Sequence, residues 1–332
     1  MTEISVLLPV HNGALFLDET LYSLRQQAFD DFEVLCIDDC STDASPDVIR
    51  RHADEDSRII YLRTGVNLGS AASACNFAAS HATGQWFVYS SQDDLFSRDW
   101  LSNLHDRVME TRADAVLPDV VFYHASGKQD REIIGFHGDR SAVLTGREAF
   151  VASLDWTVAG NALWPIRFLR SSGFDEFNVY ADEYSVRRFF LECERVVFCQ
   201  GTFYYRQDND AAVTKKSGPA LLDAADASLR LWALVCENGF DRAIHGPFAL
   251  RTLRVCIRAM ALVINTPHLE KEADRLEDVW HGMHRSPDFH ASLAAADMNG
   301  LRRAHYTRAV QSRTWFLLAA KMSALFARLK RR

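Results

Sequence analysis

Residues 4–39 read ISVLLPVHNGALFLDETLYSLRQQAFDDFEVLCIDD, and this segment sets the class of the fold. It opens with an apolar, β-branched run typical of a buried strand, which ends at Pro9 and the HNG that follows. Leu17, Leu21 and Leu24 then repeat at helical spacing. A second apolar run, FEVLCIDD, ends in two acids. Strand, helix and strand in this order predict a βαβ unit with parallel strands.

The same alternation continues to residue 90. STDASPDVIRRHA predicts a helix, RIIYLR a third strand, SAASACNFAASHA an alanine-rich helix and QWFVYS a fourth strand. The sequence therefore predicts an α/β fold with a mostly parallel sheet flanked by helices. Ligands of such sheets bind beyond the carboxyl ends of the strands. Polar clusters stand at three of those ends: HNG, DDCSTD and SSQDD.

The rest of the chain divides by pattern. Residues 1–100 form one half of the predicted domain, residues 101–218 form a mixed second half, and residues 219–332 read as a helical region. The net charge of -7 argues against a nucleic-acid partner. Seven cysteines, without a CxxC pair, predict reduced thiols. We expect a cytoplasmic protein, because no signal peptide or spanning segment is evident.

Two adjacent acids, Asp93 and Asp94, follow the fourth predicted strand. Neighbouring side chains on a strand point to opposite faces, so the pair can serve one ion only where the strand has ended. LFSRDW, which follows, predicts such a turn. Carboxylates at this edge suit Mg²⁺ or Mn²⁺, which share oxygen ligands with substrate phosphates. The alternative is a helix-capping acid with a solvated neighbour.

Two further acids, Asp38 and Asp39, close the second strand. A carboxylate there can accept a hydrogen bond from the imide N–H of uracil or from a ribose hydroxyl, although DDCSTD also reads as a simple turn. NLGSAASACN, from Asn67 to Asn76, predicts a glycine turn that enters a helix and lets backbone approach a ligand. It is not GxGxxG, so a dinucleotide cofactor is not supported.

A third acid pair, Asp182 and Glu183, opens a predicted helix. Acids are favoured in a first helical turn by the helix dipole, so a purely structural role is open. The functional alternative is a general base. Arg206 lies among carboxylates in FYYRQDND and can contact a diphosphate or order a loop.

Five ordered motifs together resemble family 2 of the glycosyltransferases, a large inverting group with the GT-A fold. They begin with the segment from Ile4 through DDCSTDAS and continue as NLG…N, ATGQWFVYSSQDD, GFDEF…ADEY and YYR, over roughly residues 3–215. The resemblance implies transfer of a sugar from a nucleotide donor, with UDP as the expected nucleotide, to a hydroxyl of a glycan or glycolipid. Synthesis of cell-surface polysaccharide is the expected setting.

The resemblance also implies where the donor binds. His11 would pack on the base, and Asp39 would bind the uracil edge with support from Asp38. Arg206 would lie on a loop that closes over the diphosphate. The positions implied for the nucleotide sugar are Pro9, Val10, His11, Asn12, Asp38, Asp39, Asn67, Gly69, Asn76, Asp93 and Arg206.

For the metal ion, Mg²⁺ or Mn²⁺, Asp94 would be the main ligand with Asp93 close to the ion or the ribose. Glu183 falls where the family carries its catalytic base, and Asp182 falls where another acid precedes it. The chain departs from the family pattern in several places, one of which is an extra residue in the glycine segment before Asn76. Ser91 replaces the first acid of D-x-D-D, the acid pair reads DE instead of ED, and Cys75 replaces a basic residue. The choice between Asp182 and Glu183 as base is therefore open.

SLDWTVAGNALWPIRF, residues 153–168, is predicted to face the acceptor. Trp156 and Trp164 can stack on sugar rings, with Asn161 between them, or they can be core aromatics.

The C-terminal tail is basic, with nine Lys or Arg and no acid from Leu301 onward. As a helix it places Trp315, Leu318, Met322, Leu325 and Leu329 on one face, and Arg313, Lys321, Arg328 and Arg331 on the other. This pattern suits an anionic membrane surface. A helix that packs on the acidic body, or on a second copy of the chain, is the alternative.

Two other functions have to be compared with glycosyl transfer on the same residues. A nucleotidyltransferase needs a glycine- and lysine-rich phosphate loop after the first strand, and PVHNGALFLD has no Lys or Arg. A catalytically inactive binding or assembly subunit stays open because of Ser91 and the reversed acid pair.

Overall fold

Strands and helices alternate through the first part of the chain, as the apolar periodicity predicts. The computed structural model describes residues 2–210, 212 and 220–329. The strands are β1 (Ile4–Val10), β2 (Phe32–Asp38), β3 (Ile59–Arg63), β4 (Trp86–Tyr89), β5 (Leu95–Phe96), β6 (Ala115–Tyr123), β7 (Gln129–Ile133), β8 (Val143–Leu144), β9 (Trp164–Pro165) and β10 (Val196–Arg206). The helices between them are α1 (Ala14–Arg25), α2 (Ser45–Glu55), α3 (Ala71–Ala78), α4 (Trp100–Thr111), α5 (Gly146–Ser153), α6 (Ile166–Ser171) and α7 (Ala181–Leu191).

The predicted sheet is present in the order β3-β2-β1-β4-β9. Its first four strands run parallel, and β9 pairs antiparallel with β4 at one edge. In the register, Val10 lies beside Asp38 and Leu7 beside Tyr89. The carboxyl ends of β1, β2 and β4 therefore reach the same edge of the sheet, which confirms the α/β fold class and sets the position of the site.

A second sheet has the order β5-β10-β6-β7, with β8 also paired to β10. Its long strand β10 runs parallel to β6 and changes register between Phe198 and Thr202. Gly201 lies in that irregularity, and a Cβ there would stand 2.9 Å from the Cα of Trp100. The strand continues beyond the segment VVFCQG that the sequence predicts, and it ends at Arg206.

One hydrophobic cluster ties the two sheets to the helices. It joins the buried face of α1, represented by Leu17, Leu21 and Leu24, to Val6 of β1 and Leu104 of α4. The leucines recur at three- and four-residue steps because one face of a 3.6-residue helix meets the sheet. The periodicity in the sequence thus identified the core side of α1.

The chain divides into two compact units, Met1–Asp210 and Ala211–Arg332. The second unit is helical, as the pattern after Ala220 predicts. Its helices are α8 (Ala220–Glu237), α9 (Arg242–Asn265), α10 (Ala273–Arg285), α11 (Pro287–Ala295), α12 (Gly300–Gln311) and α13 (Arg313–Leu329), with a 3-10 helix at Pro267–Glu272. Within the described ranges, no helix combines the length and apolar character needed to cross a bilayer.

The tail helix α13 has an unusual distribution of side chains. Its predicted apolar face is exposed, with Leu318 at 42% and Leu325 at 57% of full accessibility. The helix instead buries Phe316, Ala319 and Ala320 within the unit. Three residues that the sequence assigns to the two faces lie outside the description: Arg331, and the side chains of Arg328 and Leu329.

A buried carboxylate, Glu33, connects β1 and β2 to the turn before β4. It accepts hydrogen bonds from Ser5 Oγ at 2.6 Å, from the backbone N–H of Thr83 at 2.6 Å and from Thr83 Oγ1 at 3.0 Å. Because Glu33 is only 6% exposed, its charge depends on these donors.

We expect Glu33→Ala to lower the free energy of unfolding by about 2–3 kcal/mol, since it removes hydrogen bonds to a charged group and leaves buried donors unpaired. Urea denaturation measures this loss. The control is Glu55→Ala, which removes an exposed partner of Arg25 and should cost about 0.5 kcal/mol. Equal losses for the two variants would contradict the role of Glu33.

Candidate active site

The backbone after β1 forms one wall of the site. His11 is exposed, its Nδ1 lies 2.7 Å from the carbonyl O of Asp39, and its backbone N–H donates to Gln92 Oε1 at 2.8 Å. A Cβ on Gly13 would fall 2.2 Å from that same Oε1. Gln92 therefore links the end of β1 to the acidic turn after β4, and a side chain at position 13 would displace its amide.

The neighbours of His11 differ in accessibility. Pro9 is half-buried, Val10 is buried and Asn12 is exposed with φ 51°. Asn12 Oδ1 accepts from the backbone N–H of Thr42 at 2.8 Å, so its side chain orders the turn after β2. The predicted contacts of Pro9, Val10, His11 and Asn12 with the nucleotide stay predictions.

The two acids that end β2 have different environments. Asp38 is fully buried, and its carboxylate accepts from Ser41 N at 2.8 Å, Tyr61 Oη at 2.9 Å and Arg63 Nη1 at 3.0 Å. Because all three donors are internal and the side chain is fully buried, Asp38 suits a supporting role.

Asp39 organises the loop that follows β3. Its Oδ1 accepts from Thr64 Oγ1 at 2.9 Å and from Leu68 N at 2.7 Å, and its Oδ2 accepts from Gly69 N at 3.2 Å. Gly69 adopts φ 81°, a conformation that glycine tolerates best. Since a carboxylate oxygen can accept two hydrogen bonds, Oδ2 keeps capacity for a ligand N–H. Asn67, exposed beside it, donates to the Asp39 carbonyl at 3.3 Å.

The acidic turn after β4 is buried. Asp93 is 8% and Asp94 is 2% exposed. Asp93 accepts from Ser91 Oγ at 2.6 Å and from Asn209 Nδ2 at 2.6 Å, whereas Asp94 Oδ1 accepts from the backbone N–H of Arg206 at 3.1 Å. Burial, followed by the charge of Asp93, raises the pKa of Asp94 well above its ordinary value.

Arg206 was expected on a loop over the diphosphate, and this placement is wrong. It is the last residue of β10, is 3% exposed, and donates from Nε to the Asp93 carbonyl at 2.7 Å. Its guanidinium also pairs with Glu19 and lies 3.4 Å from Asp208. Because these partners surround it, Arg206 braces the acidic turn from inside the protein.

The donor set at the turn fits a divalent cation. A carboxyl that is buried and has a raised pKa is stabilised either by a proton or by a cation, and Asp94 has a second carboxylate beside it. No group of three or more His, Cys, Asp or Glu able to hold a metal is present among residues 2–210, 212 and 220–329. The two acids would therefore hold an ion whose remaining ligands come from phosphate and water, as Mg²⁺ often does.

The two acids at the start of α7, Asp182 and Glu183, have different surroundings. Glu183 forms an ion pair with Arg187 one turn later, and Arg187 is 4% exposed. Asp182 Oδ1 is buried and has no hydrogen-bond partner among the described residues. Burial, together with the charge of Glu183, raises the pKa of Asp182 to about 7. Asp182 therefore offers an uncommitted acceptor, while the charge of Glu183 is balanced.

Aromatic and amide contacts hold α7 against the sheet. Phe174, in the segment before α7, packs edge-on against Tyr89 with a centroid distance of 5.4 Å. Asn76 of α3 donates from Nδ2 to the Phe174 carbonyl at 2.7 Å and accepts from Phe174 N at 2.8 Å. Asn76, which the resemblance implies as a contact of the nucleotide sugar, thus connects α3 to this segment. Cys75, its neighbour, is buried.

The predicted acceptor wall is corrected at one position. Trp164 is fully buried, with its ring 5.0 Å from that of Phe190, so it cannot stack on an acceptor sugar. Trp156 is partly buried, adopts φ 64°, and lies under the guanidinium of Arg187 at 5.9 Å. Asn161 is half-buried. Acceptor contacts of Trp156 and Asn161 stay predictions.

Sequence reasoning missed two residues that shape the site, Gln92 and Arg187. Arg187 had a readable signal, because it stands four residues after Glu183 on a predicted helix and such pairs face each other. Gln92 had none. Its partners, His11 and Gly13, lie about eighty positions away, and only the parallel pairing of β1 with β4 brings them together.

Known proteins that are similar to this chain are glycosyltransferases. The model of the family described as Glycosyl transferase family 2 matches residues 5–169. The chain is 26% identical over 260 residues to glycosyltransferase GlyG of Streptococcus pneumoniae, which covers 73% of this chain and 79% of GlyG. It is 23% identical to glycosyltransferase GlyA of the same organism, of which only 35% is covered.

Two solved structures share the fold. Residues 1–349 of Staphylococcus aureus TarS, in complex with UDP-GlcNAc, superpose with a TM-score of 0.73 at 15% identity, covering 99% of this chain and 92% of that one. Mannosyltransferase PcManGT from Pyrobaculum calidifontis, in complex with GDP-Man and Mn²⁺, gives 0.53 at 19% identity, with 98% and 87% covered. The expected GT-A fold is confirmed.

The raised pKa of Asp182 also predicts how stability depends on pH. Between the ordinary carboxyl pKa and about 7, the folded state binds more protons at this position than the unfolded state. Stability from this group is therefore lost as pH rises through that window. We expect Asp182→Asn to raise the melting temperature at pH 8 relative to wild type and to have little effect at pH 4.5. The difference between the two proteins, measured by calorimetry against pH, should grow up to about pH 7; a constant difference would contradict the raised pKa.

Proposed function

The chain belongs to glycosyltransferase family 2, and on that premise we propose that it transfers a sugar from a UDP donor to a hydroxyl of a glycan or glycolipid acceptor, with inversion at the anomeric carbon. The observation that carries the proposal is the burial of Asp94 at the same sheet edge as Asp39. A nucleoside placed against Asp39 would direct its diphosphate toward that carboxyl.

UDP is the proposed nucleotide for two reasons. The remaining acceptor capacity of Asp39 Oδ2 suits the imide N–H of uracil. The structural neighbour TarS is described in complex with UDP-GlcNAc. A role in cell-surface polysaccharide synthesis is supported by a 28% identical relative over 120 residues, named poly(ribitol-phosphate) beta-N-acetylglucosaminyltransferase TarS.

Asp94, with Asp93, is proposed to hold a divalent cation, Mg²⁺ or Mn²⁺. When bound, such an ion offsets the negative charge that gathers on a leaving diphosphate. The chain's own contribution is to keep the two carboxyls fixed: Arg206 holds the Asp93 carbonyl and Asp94 Oδ1, and Asn209 holds Asp93 Oδ2. A fixed site does not have to reorganise during the reaction.

Asp182 is proposed as the group that takes the proton from the acceptor hydroxyl. The sequence favoured Glu183, but that carboxylate is paired with buried Arg187. A general base works best when its pKa lies near the operating pH. Asp182 has a pKa of about 7, and its Oδ1 accepts no hydrogen bond from any residue that the structure describes. Glu183 then acts as a positioning residue, whose charge keeps the pKa of Asp182 raised.

The tail and the location remain part of the proposal. We propose a peripheral association with the inner face of the cell membrane, supported by the exposed apolar side chains of α13. The basic residues of the tail favour the same anionic surface.

A thermal-shift screen tests donor binding. A ligand at about 100 times its Kd stabilises the native state by about 2.7 kcal/mol. We expect UDP-sugars with Mn²⁺ to raise the melting temperature and EDTA to remove most of the rise. In Asp94→Asn the ligand-induced rise should be lost, whereas Asp119→Asn, in an ion pair with Arg140, should keep it. No rise with any nucleotide sugar would reject the proposal; a rise without UDP release from a panel of acceptors would favour an inactive binding or assembly subunit.

The choice of base is tested by UDP release. We expect Asp182→Asn to lower kcat by about 10²–10⁴-fold, the usual worth of a positioned base, with KM for the donor nearly unchanged. Wild-type kcat should rise with pH to a plateau above about 7, because Asp182 must lose its proton. Glu183→Gln should lower kcat less and shift this profile to lower pH. Glu192→Gln, an exposed acid at the end of α7, is the control. A near-normal kcat in Asp182→Asn would contradict Asp182 as the catalytic base and favour Glu183.

A further inference from the structure

A hollow of about 570 Å³ lies within the C-terminal unit, between α9, α12 and α13. Three arginines of α9, at positions 251, 254 and 258, line it together with His305 and Tyr306 of α12. The arginines recur at three- and four-residue steps, so one face of α9 presents all of them. We name these five residues the arginine groove.

The arginine groove is positively charged. No Asp or Glu is among the residues that line it, and all three arginines are exposed. Arg254 is oriented by Tyr306, which accepts from its Nε at 3.2 Å and lies under its guanidinium at 5.4 Å. Within the described residues, Arg254 and Arg258 form no ion pair with an acid. Arg275 and Arg313 of the same unit do, with Asp223 and Glu277.

An apolar rim borders the charge. Met322 and Phe326 of α13 line the same hollow while 44% and 60% exposed, and Leu325 beside them is 57% exposed. The helix buries small residues such as Ala320 and Ala324 instead. Large apolar side chains on the outside cost hydration free energy in water, so their position favours an apolar partner.

We propose that the arginine groove binds the phosphate headgroup of an anionic lipid, with Met322, Leu325 and Phe326 entering the acyl region. Guanidinium groups pair with phosphate in a two-pronged geometry, which explains three arginines around one hollow. The apolar rim explains why the partner is a lipid surface rather than a soluble anion. This site lies in a different unit from the proposed transfer site; it rests on the membrane association proposed above, whereas glycosyl transfer does not depend on it.

Flotation of the full chain with vesicles tests the site. We expect binding to phosphatidylglycerol vesicles and little binding to phosphatidylcholine vesicles. Each basic residue near such a surface contributes about fivefold to partitioning, so Arg254→Gln/Arg258→Gln should weaken binding by about 25-fold. The matched control is Arg285→Gln, an exposed arginine of α10 outside the hollow. Because the last basic residues of the tail remain in every variant, a loss reports on the arginine groove.

The apolar rim is tested separately with Met322→Gln/Phe326→Gln, which alters exposed side chains and should fold normally by circular dichroism. It should reduce binding to the same vesicles. Equal flotation of wild type and Arg254→Gln/Arg258→Gln would overturn the proposal. So would a wild type that ignores phosphatidylglycerol but is stabilised by inorganic phosphate in an Arg254- and Arg258-dependent way, because the groove would then serve a soluble anion.

Discussion

The buried guanidinium of Arg206 is the interaction on which the site depends. It joins Glu19 of α1 to the Asp93 carbonyl, while the backbone N–H of the same residue reaches Asp94. Two adjacent carboxyls that are 8% and 2% exposed would be unfavourable without such partners. The acidic turn can therefore stay buried and shaped before any ligand arrives, since β10 supplies the missing positive charge.

Acids that look alike in the sequence differ in their burial and in their hydrogen-bond and ion-pair partners. Each of Asp38 and Asp39 accepts three internal hydrogen bonds, but Asp38 is fully buried whereas Asp39 is 5% exposed. Asp182 and Glu183 are neighbours, yet Asp182 has a pKa of about 7 and an oxygen with no partner in the described part of the chain, whereas Glu183 pairs with Arg187. When the environments of two titratable groups differ in this way, different chemical roles become available to them.

The two units place their large apolar side chains differently. In the first, residues such as Phe87, Trp164 and Phe189 are fully buried, so large aromatic side chains build the core that holds the acids. In the second, α13 packs through Phe316 and several alanines and leaves Met322 and Phe326 outside beside the arginines of α9. The interior of the first unit is closely packed with apolar side chains. The outer face of α13 and α9 combines positive charge with exposed apolar area, a pattern typical of a surface that binds a membrane.

The sequence by itself determined the class of the fold, the four parallel strands and the acids at their ends, because strand and helix periods are local properties of the chain. It also indicated the apolar stripe of α13. Only the tertiary structure decided that Arg206 ends a strand instead of lying on a loop and that Trp164 is interior. It also decided that an oxygen of Asp182, and not the carboxylate of Glu183, lacks a partner among the residues described. Accessibility and charge balance are set by residues distant in the chain, such as Glu19 with Arg206, and no local pattern contains that information.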